Sequence, residues 1–124
     1  FETARNKELA GRLPRLASAL LAINERVVDL QPISRAHYYR PNQQGSWSIK
    51  KVLPAVVPEL SYDALDGVQD GGMAMEAFLE AIHPKTSPER KAEIKQHLLA
   101  YCKLDTSAMV RLWQVFAGRT DMRL

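Results

Sequence analysis

The chain has 124 residues, of which 46% are hydrophobic and 25% are charged. This composition is typical of one soluble globular domain and excludes a disordered segment. The formal net charge of +3 comes from basic residues scattered along the chain, which permits a phosphate-rich partner without requiring one.

Cys102 is the only cysteine, so an internal disulfide is excluded and a reducing, cytoplasmic location is expected. No apolar run reaches the roughly 18 residues of a membrane span, so we expect no membrane partner.

Apolar spacing in the first 24 residues predicts two short helices. Pro14 fits the first turn of a helix better than its interior, because proline lacks the backbone N–H that an interior position donates. We therefore expect helices over about residues 3–12 and 14–24. The residues at helical spacing, which are expected to form one buried stripe, are Leu9, Leu13, Leu16, Leu20 and Ile23.

The segment that follows predicts a short strand and then further helices. Val27 and Val28 are β-branched and indicate a strand near residues 26–30. Asp29 is expected to hold the start of the next helix rather than to take part in chemistry. The sequence PNQQGS at residues 41–46 has a loop composition and separates that helix from one in IKKVLPAVV.

The second half of the chain predicts two helices after the turn-rich connector SYDALDGVQDGG. Asp70 is expected to cap the first of them, over residues 73–82, and TSPER begins the last helix. That helix can run to about Ala117, where Gly118 ends it. The side chains of the first helix that are expected in the core are Met73, Met75 and Phe78. The fold class is thus mainly α, with five to six helices and one short strand, in a single domain over residues 1–124.

A carboxylate interrupts the apolar stripe of the last helix. In LLAYCKLDTSAMV the helical spacing reaches Asp105 where an apolar residue is expected, while Cys102, beside the stripe, is expected to be an inert buried thiol. Tyr101 lies four residues before Asp105 and therefore shares its face of the helix. A buried carboxylate must be hydrogen-bonded, paired or bound to a cation. The pattern alone leaves open whether Asp105 accepts a hydrogen bond from a neighbouring element or is a metal ligand.

Aromatic and basic residues are interleaved in RAHYYRPNQQGSWSIKK. Single-stranded nucleic acids are bound by aromatic side chains that stack on bases, next to cations that neutralise phosphates. The alternative is that the aromatic rings pack under the loop while the charged groups are solvated. The candidate substrate-binding residues in this segment are Tyr38, Tyr39, Arg40, Trp47, Lys50 and Lys51.

These motifs together resemble a known superfamily. AYCKLDTSAMVRLW is similar to the third motif of the tyrosine branch of the DEDD 3′–5′ exonucleases, which have a ribonuclease-H-like fold. Phe1 and Glu2, followed by a helix, resemble the end of the second motif, and VVDLQPISRAHYY and GSWSIKKVLP resemble helical segments between the motifs. The segments FE, VDL, SIKKVLP, QDGGMA and YCKLDT are also similar to an uncharacterised bacterial family described only as a domain of unknown function.

The resemblance implies a two-metal hydrolysis of nucleic-acid phosphodiesters at a DNA or RNA 3′ end. Asp105 and Glu2 would be ligands of Mg²⁺ or Mn²⁺, and Tyr101 would position the attacking water. The first motif, an Asp-x-Glu on a strand, is absent from these residues. The resemblance therefore implies a part of an α/β ribonuclease-H-like domain, which we expect to be inactive by itself.

The same residues also fit two other functions. The chain could be a degenerate, non-catalytic module that binds nucleic acid or protein, or an unrelated helical interaction domain with a hydrogen-bonded Asp105. Helix faces that lack the sheet of the complete fold would remain uncovered. We therefore expect copies of the chain to associate.

Overall fold

A computed structural model describes residues 2–119, so Phe1 lies outside the described residues. Within this range the chain forms six α-helices joined by short connections, three of which contain a single 3₁₀ turn. The helices are α1 (Glu2–Arg12), α2 (Ala17–Asn24), α3 (Leu30–His37), α4 (Ile49–Val56), α5 (Gly71–Ile82) and α6 (Pro88–Phe116). The mainly helical fold class is confirmed.

The strand predicted near residues 26–30 is wrong. Arg26 belongs to a turn, residues 27–29 have no regular secondary structure, and Leu30 already begins α3. Residues 2–119 contain no strand that could pair with this segment. Without a pairing partner, the β preference of two valines is too weak to form a strand.

The predicted helix starts depend on local caps, and three of these caps are confirmed. The side chain of Asp29 accepts a hydrogen bond from the backbone N–H of Gln31 at 2.9 Å and begins α3. The Asp70 side chain accepts from Met73 at 2.8 Å, and Ser87 accepts from Arg90 at 3.2 Å. Each cap satisfies one of the N–H groups that a helix start leaves without a partner.

α1 and α2 form a hairpin. The Asn6 side chain donates to Asn24 at 2.9 Å, and Asn24 donates to the carbonyl oxygen of Thr3 at 3.0 Å. The prediction of one buried stripe is wrong here, because the two helices bury only Ala10 and leave most of the leucine stripe open to solvent. The exposed stripe residues are Leu9, Leu13, Leu16 and Ile23.

The core lies where α4 and the connector after it meet the second half of α6. It consists of residues that are at most 4% exposed, and Leu53 and Ala108 are fully buried. Tyr62, in the 3₁₀ turn after α4, is 3% exposed. The core residues are Val52, Leu53, Val57, Tyr62, Ala108 and Leu112.

α5 packs against the first half of α6. The carboxylate of Glu80 on α5 accepts two hydrogen bonds from Arg90 on α6, at 2.8 and 3.0 Å. α6 runs without interruption to Phe116, and Gly118 follows with a φ of +65°, as the sequence predicted for the end of this helix.

Two burial predictions for this half of the chain are wrong. The thiol of Cys102 is exposed rather than buried, because the core face of α6 passes through Tyr101 and Leu104 instead. The large side chains of α5 are also exposed, because α5 turns its alanines towards the interior. The exposed residues that were expected in the core are Met73, Met75 and Phe78.

Among residues 2–119, no helix is both long and apolar enough to cross a membrane.

Candidate functional site

The partner of Asp105 is a tyrosine from the connector between α4 and α5. The hydroxyl of Tyr62 donates a hydrogen bond of 2.7 Å to Oδ1 of Asp105. Tyr62 is the only residue within 2–119 whose side chain or backbone donates to this carboxylate. Burial, this hydrogen bond and the negative charge of Asp105 all raise the pKa of Tyr62. The tyrosine therefore stays protonated and continues to donate at neutral pH.

Tyr101 lies beside this pair, one helical turn before Asp105. Its ring centroid is 6.1 Å from that of Tyr62, and the two rings are tilted by 52°. Its hydroxyl oxygen faces the start of α5, where it would be 3.8 Å from a Cβ added to Gly71. Burial raises the pKa of Tyr101, and the charges of Asp105 and Asp70 raise it further. Its hydroxyl is thus a protonated group next to a carboxylate, able to orient a water or a ligand oxygen.

A groove of about 900 Å³ runs between the start of α1, the segment before α3 and the second half of α6. Asp105, Glu2 and Asp29 all line it, although they are far apart in the sequence. Tyr101 is not among the lining residues, because its hydroxyl faces the start of α5. The rest of the lining is largely apolar. The apolar lining residues are Val27, Val28, Leu30, Trp47, Ile49, Val52, Met109, Val110, Leu112 and Phe116.

The groove therefore brings together the two carboxylates that the sequence predicted as metal ligands, Asp105 and Glu2. Oxygen ligands of this kind suit Mg²⁺ or Mn²⁺. The third acid, Asp29, is already used as the cap of α3. Within the described part of the chain, no three His, Cys, Asp or Glu side chains converge closely enough to hold a metal ion. Asp105 and Glu2 could therefore supply two oxygen ligands at most, and a magnesium site would need further carboxylates.

The aromatic residues of the predicted substrate-binding segment divide into packed and exposed ones. Tyr38 is structural, because its hydroxyl donates to the carbonyl oxygen of Ala55 at 3.0 Å and its ring lies 5.6 Å from Phe116. Trp47 is half-buried, and its indole N–H donates to the carbonyl oxygen of Tyr38 at 3.0 Å. Tyr39 is 52% exposed, with its ring centroid 5.8 Å from that of Trp47. Tyr39 and Trp47 therefore present one aromatic surface.

Two arginines flank this aromatic surface. The guanidinium carbon of Arg35 lies 5.6 Å from the centre of the Trp47 ring, and that of Arg40 lies 5.8 Å from the Tyr38 ring. A smaller cleft of about 590 Å³ between α3 and the loop before α4 is lined by Arg35 and Trp47. Trp47 also lines the larger groove, so the two depressions adjoin each other. Aromatic rings beside guanidinium groups form the type of surface that binds single-stranded nucleic acid.

Each of the two predicted lysines has a partner outside this surface. The ammonium group of Lys50 pairs with Asp70 at 3.3 Å and thereby points towards the start of α5. Lys51 lies nearer to the loop, where its ammonium group is 3.5 Å from the side-chain oxygen of Gln44. A capping hydrogen bond from Met73 lowers the pKa of Asp70, and Lys50 lowers it further. Lys50 thus has a structural partner.

Sequence reasoning missed two residues of the site. Tyr62 carries no local signal, because it stands in a connector and meets Asp105 across 43 positions of sequence. Arg35 could have been found, since it is the first residue of the interleaved segment RAHYYRPNQQGSWSIKK and lies on the last turn of α3.

Comparison with known proteins supports only the resemblance to a domain of unknown function, and not the resemblance to the exonucleases. A family described as a domain of unknown function (DUF2779) matches residues 1–48. This segment contains Glu2 and Asp29 and extends through the aromatic surface to Trp47. No curated protein and no solved structure matches the chain.

Proposed function

We propose that the chain supplies part of a metal-dependent nuclease domain that removes nucleotides from a nucleic-acid 3′ end. The observation that carries the proposal is that Glu2 and Asp105 line the same groove, at opposite ends of the sequence. The resemblance to the second and third exonuclease motifs assigns metal binding to these two residues, and their place in one groove is consistent with that role. Together with a strand that bears Asp-x-Glu, they would provide four carboxylates.

Each residue has a distinct chemical role in this proposal. Asp105 and Glu2 would hold Mg²⁺ or Mn²⁺, which when bound would activate a water and stabilise the charge of the phosphoryl transition state. Tyr101 would orient the attacking water through its hydroxyl, which faces the start of α5 and would have to turn towards the groove. Tyr62 would hold the Asp105 carboxylate in one orientation through their 2.7 Å hydrogen bond.

The aromatic surface would receive the nucleic acid. Tyr39 and Trp47 offer faces on which unpaired bases can stack, and Arg35 and Arg40 lie beside them. Because Trp47 lines both depressions, a strand on this surface could continue into the groove that contains Asp105. A cytoplasmic protein with this surface would encounter either DNA or RNA.

The isolated chain provides a first test by isothermal titration with Mn²⁺. Two carboxylates are too few to fix two divalent ions, so we expect no binding at micromolar concentrations of the metal. Micromolar binding by the 124-residue chain would contradict the proposal that further ligands are needed.

The decisive experiment uses a protein that carries this chain together with an upstream Asp-x-Glu strand. Asp105→Asn should abolish Mn²⁺-dependent release of nucleotides from a 3′-labelled oligonucleotide, while Asp66→Asn, which changes an exposed acid in the connector, should not. Unchanged cleavage by the Asp105→Asn protein would reject the proposal. Thermal unfolding of both variants distinguishes loss of chemistry from loss of fold.

The Tyr62–Asp105 hydrogen bond favours a second candidate function. A half-buried acid that accepts from a tyrosine has a hydrogen-bond donor without a metal ion. In this alternative the chain is a non-catalytic module, and Asp105 only joins α6 to the connector. Oligonucleotide binding that persists in EDTA, with no cleavage by the longer protein in Mn²⁺, would support this alternative.

A further inference from the structure

α5 presents two different faces, and the one with the larger side chains is open to solvent. The half-buried positions of α5 are all alanines, Ala74, Ala77 and Ala81, and the helix packs on α6. The large apolar residues stand on another side of the helix, about 120° around its axis. Their exposed fractions are 66% for Met75, 54% for Phe78, 57% for Leu79 and 59% for Ile82. We call these four residues the α5 stripe.

The α5 stripe is large enough to be an interaction surface. Each of the four side chains is more than half exposed, so together they present roughly 400 Å² of apolar surface.

We propose that the α5 stripe binds the same stripe on a second copy of the chain, in an antiparallel pair of helices. The spacing i, i+3, i+4, i+7 is symmetric about the midpoint between Phe78 and Leu79. A two-fold axis through that point places Met75 of one copy opposite Ile82 of the other, and Phe78 opposite Leu79. A surface that is complementary to itself in this way is the requirement for a symmetric dimer.

The charges around the stripe favour a protein partner of this kind over a membrane. The helical residues beside the stripe are Glu76 and Glu80, and α5 contains no lysine or arginine. Helices that lie on anionic lipid surfaces instead carry basic residues next to their apolar face.

The area is also sufficient. Two copies would bury roughly 800 Å² from the stripes alone, and the polar margins raise this towards the 1,000–1,200 Å² at the lower end of specific interfaces. The interface does not involve Asp105, Glu2 or the aromatic surface, and it is independent of the proposed nuclease role.

Sedimentation velocity of the 124-residue chain tests the dimer, with a reducing agent present because the exposed Cys102 could form a disulfide between copies. We expect a species of twice the chain's 14.0 kDa. Leu79→Lys should weaken the dimer by at least about 100-fold in Kd, because it places two charges in the apolar interface. The matched control, Leu99→Lys, changes a leucine of α6 that is 54% exposed and should leave the dimer intact.

A truncation gives a second test. Phe78→Ala removes a large side chain from the centre of the proposed interface and should weaken the dimer by about 10-fold or more. Circular dichroism should show unchanged helicity in every variant, since all of these residues are exposed. A wild-type chain that remains monomeric up to about 1 mM would overturn the proposal and leave the stripe to another partner. A dimer that survives Leu79→Lys would overturn it equally.

Discussion

The hydroxyl of Tyr62 lies 2.7 Å from Oδ1 of Asp105 and donates a hydrogen bond to it. This bond joins the connector after α4 to the middle of α6, at the edge of the core to which Tyr62 itself belongs. It explains how the fold accommodates a carboxylate in the stripe of a packed helix. A half-buried carboxylate without a donor would weaken the folded state.

Removing the donor should therefore destabilise the protein. Tyr62→Phe deletes the hydroxyl but keeps the ring, and we expect the free energy of unfolding to fall by about 1.5–3 kcal/mol, as for hydrogen bonds to charged groups. Urea denaturation followed by circular dichroism measures the change. Tyr39→Phe is the control, because that ring is 52% exposed and should change stability by less than about 0.5 kcal/mol. If both variants unfold at the same urea concentration as the wild type, the hydrogen bond contributes nothing to stability.

Stability should also decline at alkaline pH. The pKa of Tyr62 and that of Tyr101 are raised in the folded protein, so each tyrosine loses its proton in the unfolded chain first, above about pH 10. Their contribution to stability is fully present below that pH and is lost as the pH rises through the folded pKa values. Urea denaturation between about pH 8 and pH 11 should show this decline, and Tyr62→Phe should reduce its slope. An equal slope in the variant would exclude Tyr62 as its origin.

Gly67 should resist substitution because of its neighbour on α6. Its φ is +74°, and a Cβ at this position would lie 2.9 Å from ring carbons of His97. Gly118 has a similar φ of +65° but open space around it, which makes it a matched control. Gly118→Ala should cost about 1 kcal/mol from the backbone alone, while Gly67→Ala should cost about 2–4 kcal/mol. Thermal unfolding would show the difference, and equal melting temperatures would mean that His97 moves aside freely.

The core between α4 and α6 should dominate the stability of the described residues. Leu53 is fully buried, and Leu53→Ala should lower the free energy of unfolding by about 2–5 kcal/mol through lost burial and a residual cavity. Leu99→Ala removes the same atoms from a leucine that is 54% exposed and should cost less than about 1 kcal/mol. Urea denaturation of both variants measures the difference. Similar losses in the two variants would place the main core elsewhere.

The amino-acid sequence determined where the helices begin and end. Asp29, Asp70 and Ser87 cap the helices that follow them, and Gly118 ends the last one, as their local chemistry predicted. The reason is that a cap or a helix end depends on residues within one turn of each other. The strand near residues 26–30 failed because a strand needs a distant partner, which these residues do not have.

Tertiary structure alone decided which faces are buried and what meets Asp105. Apolar periodicity marks a face of a helix, but burial requires another element against it, and the stripe of α5 has none within residues 2–119. Tyr62 reaches Asp105 only because the connector folds back onto α6. Likewise, Glu2 and Asp105 line one groove although α1 and α6 stand at opposite ends of the described chain. Contacts between residues so far apart in the chain follow from packing, which no local pattern specifies.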